Sequence, residues 1–89
     1  MDVVPGDIVC STAGRDEGKY YVVMKTEDVY AFVCDGRKRK CDRPKMKKFK
    51  HLNGGIGHSV YIENKLNSGE KVTNTELRRE LDEYNRKEG

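Results

Sequence analysis

The sequence predicts a mainly β fold, a small antiparallel barrel with one C-terminal α-helix. Apolar residues in the first fifty positions fall in short runs rich in β-branched and aromatic side chains, as strands require. Glycine, aspartate and proline separate these runs at hairpin-like spacing. Near position 73 a capping signature opens the one segment with helical periodicity. Several short strands joined by tight turns fit a barrel better than a helical or βαβ arrangement, and closure removes exposed sheet edges.

The elements follow in order. Gly6–Thr12 reads as a strand punctuated at its start by Pro5-Gly6, and Ala13–Lys19 is a polar loop whose glycines permit positive φ or close packing. Tyr20–Lys25 is a second strand, Thr26–Asp28 a turn and Val29–Cys34 a third strand. Asp35-Gly36 is a turn signal, after which Arg37–Cys41 is expected to run back as a fourth strand with its basic side chains outward. Pro44 removes a backbone donor and restricts Arg43, so Asp42–Lys45 reads as a turn or strand edge. Lys47–Leu52 is expected as a fifth strand, Phe49 inward and alternate lysines outward.

Beyond Leu52 the character changes. Asn53–Gly57 reads as a flexible linker or wide loop, and Ser59–Ile62 as a last short strand or an extended arm. Thr73 and Glu76 have capping-box spacing, with Val72 and Leu77 placed as a hydrophobic staple. Leu77, Leu81 and Tyr84 then recur at helical spacing, predicting a helix from Asn74 to about Arg86 that either docks on the barrel or binds a partner. The expected organisation is a barrel over 1–52, a loop and extended segment over 53–72, and a helix over 73–89, within a single domain, as suits an 89-residue chain.

Charge is distributed unevenly. Arg37–Lys50 carries nine Lys or Arg against one acid, a local charge of +8, whereas the rest has nine basic and fourteen acidic residues, or −5. A mildly acidic body bearing one basic strip is the electrostatic footprint of a surface that meets phosphates. Because Cys34 precedes the strip and Phe49 and Leu52 follow it, the strip is expected to be bracketed by core rather than to form a tail. No stretch approaches the roughly 20 apolar residues of a membrane span. The start MDVVPGD lacks a signal-peptide pattern, so a cytoplasmic location is expected.

Cys10, Cys34 and Cys41 form no CxxC pair, so neither a disulfide framework nor a zinc site with His51 and His58 is expected. Cys10 and Cys34 sit inside apolar runs and read as small buried hydrophobes. Cys10 and Cys41 are the thiols to weigh as reactive, Cys41 because Lys40 and Arg43 flank it. Without a nucleophile–base pair, a phosphate loop or clustered carboxylates with a matching His, no catalytic residue, cofactor or small-molecule substrate is expected.

Gly6-Asp7-Ile8-Val9, then Ala13-Gly14-Arg15-Asp16-Glu17-Gly18-Lys19, then Val22-Val23 resembles the KOW motif, a strand–loop–strand signature of many ribosomal proteins and some transcription elongation factors. Gly18 matches the hallmark loop glycine of that motif, and Gly14 stands in the same loop. With the Asp35-Gly36 turn, the basic run and Lys50-His51-Leu52, the stretch Gly6–Leu52 is similar to the family of large-subunit ribosomal protein number fourteen of archaea and eukaryotes. The resemblance implies an SH3-like barrel that binds ribosomal RNA, with ribosomal or transcription proteins as further partners. It also implies that Arg15 and Lys19 lie beside the basic strip.

Cations spaced along a backbone track are what phosphate binding needs. The candidates in the strip are Arg37, Lys38, Arg39, Lys40, Arg43, Lys45, Lys47, Lys48 and Lys50; Arg15 and Lys19 either join them or are plain exposed loop charges, and His51 either touches RNA or caps its strand. Strand alternation limits simultaneous phosphate contacts to about four to six. Arg37, Arg39 and Arg43 lead because a guanidinium forks onto phosphate and stacks on bases. Tyr20, Tyr21 and Tyr30 either stack on unpaired bases or pack in the core. A protein-interaction module of the SH3-like or elongation-factor KOW type is the other function class, since one fold serves both uses.

Overall fold

The computed structural model describes residues 3–88. Met1, Asp2 and Gly89 lie outside the described residues, as do the side chains of Lys87 and Glu88. Five strands, β1 (Asp7–Ser11), β2 (Tyr20–Glu27), β3 (Tyr30–Cys34), β4 (Lys45–Lys48) and β5 (Leu52–His58), form one sheet in the order β4-β3-β2-β1-β5. Every neighbouring pair is antiparallel. Two helices follow, α1 (Val60–Asn67) and α2 (Asn74–Glu88). The predicted fold class, mainly β with a C-terminal helix, is the one observed, and it is consistent with an SH3-like architecture. No β4–β5 ladder occurs among the described residues; those two edge strands are joined through a single 3-10 turn, Phe49–His51.

Strand alternation sends apolar side chains to both faces of the sheet. Val9, Tyr21, Val23, Ala31 and Val33 share one cluster with Val3 and Leu52. On the opposite face Ile8, Val22 and Cys34, matched across three strands, pack with Ile62 of α1 and with Val72, Leu77 and Leu81 at and within α2. Burying Leu77 and Leu81 contributes about 1.5 to 3 kcal/mol each, which stabilises a helix too short to persist alone.

The capping box forms as its spacing predicts. The Thr73 N–H donates to Glu76 Oε1 at 2.8 Å, and the Glu76 N–H donates to Thr73 Oγ1 at 3.2 Å. Glu76 also accepts from Lys65 Nζ at 2.8 Å and from the Tyr61 hydroxyl, which fastens α1 to α2. These bonds, led by that of Lys65 and followed by those of Tyr61 and Thr73, hold the Glu76 carboxyl at about 2.

Four expectations are corrected. Arg37–Cys41 is a loop, because the Asp35 side chain captures the backbone that a strand would use. The expected Lys47–Leu52 strand is broken after Lys48 by the 3-10 turn, where the Phe49 N–H donates to Val29 O at 2.8 Å. The expected linker Asn53–Gly57 belongs to β5: it has few side chains to signal a strand, and backbone pairing with β1 supplies the order. Ser59–Ile62 begins a helix, since Ser59 Oγ accepts from the Ile62 N–H and caps α1. The segment 53–72 is therefore structured over most of its length rather than a loop and extended arm.

Candidate nucleic-acid interface

Because β2 and β3 are antiparallel neighbours, the loop before β2 and the loop after β3 emerge at the same end of the sheet. The second of these loops is rigidly framed. Asp35 Oδ1 accepts from the Arg37 N–H at 2.8 Å and the Arg39 N–H at 2.9 Å, while the Asp35 and Gly36 N–H groups donate to Arg39 O at 2.9 and 3.1 Å. Helix α2 holds it from behind: Arg78 donates to Gly36 O at 2.7 Å, and Asn74 Oδ1 accepts from the Cys41 N–H at 2.8 Å. With the backbone satisfied inward, Arg37, Lys38, Arg39, Lys40 and Arg43 are left exposed. None of the five forms an ion pair among the described residues.

The glycine loop 12–19 closes on β1. The Gly18 N–H donates to Ser11 O at 2.8 Å and the Ser11 N–H to Lys19 O at 2.9 Å. Gly18 has φ +87° with open space around it, so the conformation rather than the room calls for glycine there. Arg15 and Lys19 are exposed. Gly18, Lys19 and Tyr20 line a shallow depression of about 450 Å³ together with Asp35, Arg37 and Lys38. Lys19 thus lies beside Arg37 and Lys38 of the basic loop.

Lys47 is buried away from this surface, contrary to the sequence reading, and Lys45, its side chain 32% exposed, is drawn to the same carboxylate, that of Asp16. Alternation along β4 puts them on the face of Ala31 and Val33, leaving Met46 and Lys48 exposed. There Asp16, brought in by the glycine loop, receives Lys47 Nζ at 3.0 Å, Lys45 Nζ at 3.0 Å, the Ser11 hydroxyl at 3.0 Å and the Tyr21 hydroxyl at 3.1 Å. Lys47 also donates to Ser11 Oγ at 2.8 Å. Burial pushes the Asp16 carboxyl up, but the bonds from Lys47, Lys45, Ser11 and Tyr21 outweigh it and hold the group well below the usual carboxylate range. The Tyr21 phenol is pushed above its ordinary value by burial and by Asp16. Asp16 is the residue whose importance sequence reasoning missed; its lysine partners lie 29 and 31 positions away, beyond any local pattern.

Lys48 and Lys50 are exposed near the β2–β3 turn, away from the basic loop along β2. His51 is half-buried in the 3-10 turn, where its carbonyl accepts from the Thr12 N–H at 2.9 Å. Tyr21 is a core residue, and Tyr20 packs against Tyr84 with the rings tilted by 41° and their centroids 5.6 Å apart. Cys34 is fully buried and its thiol is pushed up to about 12, mainly by burial; Cys10 and Cys41 are half-buried. A second cluster not anticipated from the sequence joins His58 to Asp7 at 2.6 Å and to Glu63 at 3.1 Å, and these two carboxylates raise the imidazole pKa.

No helix among the described residues is long and apolar enough to cross a membrane, and no group of His, Cys, Asp and Glu side chains among them is arranged to hold a metal ion. No protein-family model matches the chain, and no curated protein does.

Proposed function

We propose that this protein is a non-catalytic, cytoplasmic RNA-binding module of the KOW type that its first half resembles, with structured ribosomal RNA as its partner. The observation that carries this reading is the meeting of two loops at one end of the sheet, where Lys19 of one lies beside Arg37 and Lys38 of the other. Arg15, Arg39, Lys40 and Arg43 are exposed on the same two loops, and all seven are without internal ion-pair partners among the described residues. Cations whose backbone is fixed in advance lose little freedom on meeting a phosphate track, and counterion release supplies the affinity.

Binding of a structured RNA duplex measured against salt tests the reading. A log–log slope of roughly −3 to −5 is expected, and Arg37→Ala with Arg39→Ala and Arg43→Ala should flatten it by roughly 2 to 3 while the domain stays folded. Undiminished affinity in that triple variant overturns the reading. The protein-interaction alternative has less support, since Leu77 and Leu81, the apolar stripe a partner would use, are already buried against the sheet.

A further inference from the structure

At the far end of β2 from the basic loops, the β2–β3 turn and the 3-10 turn enclose an open cleft of about 670 Å³. Its walls are apolar: Val29, Tyr30, Phe49 and Leu52. The bond from the Phe49 N–H to Val29 O, at 2.8 Å, holds the two walls together. Tyr30 and Phe49 are only partly buried, and Val29 keeps half of its surface in water. Lys48 and Lys50, one on each side of Phe49 in the chain, and Asp28 complete the rim. Neither ammonium group nor the Asp28 carboxylate has an ion-pair partner among the described residues.

Aromatic walls beside two unpaired cations suit a base with its flanking phosphates, the arrangement by which single strands are held. The rim also carries an anion, and this selects among ligands. A nucleotide offers phosphates to the lysines, a flat face to the aromatic rings and hydrogen-bond donors to Asp28 in one unit. A carboxylate only accepts hydrogen bonds. Among the four RNA bases, guanine is the one whose pairing edge presents two adjacent donors, N1–H and N2–H; the others set a donor beside an acceptor. We propose that this cleft takes one unpaired guanine of a single-stranded RNA segment, stacked on Tyr30 and Phe49, with Lys48 and Lys50 on the neighbouring phosphates and Asp28 on the donor edge.

The inference rests on RNA being the partner, and its test separates the two. The full chain, isotope-labelled, is titrated with the single-stranded hexamers UUGUUU and UUUUUU and with a structured duplex, and the resonances are followed by NMR. The guanine hexamer is expected to shift Val29, Tyr30 and Phe49 and to bind about tenfold or more tighter than oligouridine. Asp28→Asn, a change at an exposed turn position with φ +57° that asparagine tolerates, should abolish that preference and leave duplex binding unchanged. Lys48→Ala with Lys50→Ala should weaken both hexamers. Shifts confined to residues 35–43 overturn the cleft assignment while the RNA reading stands. Equal affinity for the two hexamers overturns the guanine assignment. Absence of binding to any of the three RNAs overturns both. Larger shifts from an acidic five-residue peptide with a central phenylalanine overturn the inference in favour of a protein ligand.

Discussion

Lys47 Nζ stands 3.0 Å from Asp16 Oδ1, and both side chains are 8% exposed. One carboxylate thereby organises two lysines, a serine and a tyrosine from the glycine loop and three strands. Removing it leaves Lys47 charged and buried without its counter-ion. Asp16→Ala should destabilise the fold by about 3 to 5 kcal/mol in urea denaturation. A loss below about 1 kcal/mol would mean that the pair is no stronger than a surface one.

The same geometry divides the basic strip into two classes. Arg39→Ala should lower the magnitude of the RNA salt slope by about 1 and leave stability within about 0.5 kcal/mol. Lys47→Ala should do the reverse, lowering the urea midpoint while the slope is kept in the fraction that remains folded. If the two variants behave alike in both measurements, the division is wrong.

Gly36 and Gly18 share positive φ but differ in surroundings. A Cβ on Gly36 would run into the Asn74 carbonyl oxygen and stand 3.1 Å from Leu77 Cβ, whereas one on Gly18 meets nothing within 4 Å. Gly18→Ala should cost only the conformational strain of about 1 to 2 kcal/mol. Gly36→Ala should cost more, because α2 must also shift; thermal unfolding of the two variants side by side checks the ranking.

His58 makes stability depend on pH in the opposite sense to the carboxylates. Its folded pKa is raised above 6.5 by Asp7 and Glu63, so its contribution is fully present below that value and is lost as pH rises through the folded pKa. Melting temperatures from about pH 5.5 to about pH 8.5 should fall more steeply for the native chain than for His58→Gln. Equal pH profiles would show that the cluster contributes nothing.

Glu76 acts at the acid end. Its folded pKa of about 2 lies below the ordinary 4.5, so its contribution is complete above pH 4.5 and disappears as pH falls toward 2. Glu76→Gln should flatten acid unfolding over that window, read by circular dichroism, and separate α1 from α2 first.

Local chemistry made much of this protein legible in its residues. The first three strands follow from runs of β-branched and aromatic side chains, and the start of α2 from Thr73, Glu76 and the Val72–Leu77 staple, because each depends on neighbours within a turn or a pleat. The charge asymmetry was likewise legible in the order of the charged residues. Ser59, with Ile62 and Leu66 four apart, also carried a readable helix start, but the β-favouring Val60-Tyr61-Ile62 obscured it. What tertiary structure alone decided were the features whose partners are distant in sequence. Asn53–Gly57 became a strand because β1 offered its backbone, and the Arg37–Cys41 loop, framed locally by Asp35, was fixed in place by the bond from the Cys41 N–H to Asn74 of α2. Lys47 turned inward, with the partly exposed Lys45 beside it, because a carboxylate some thirty residues earlier was waiting there, and a buried ammonium is stable only beside such a partner.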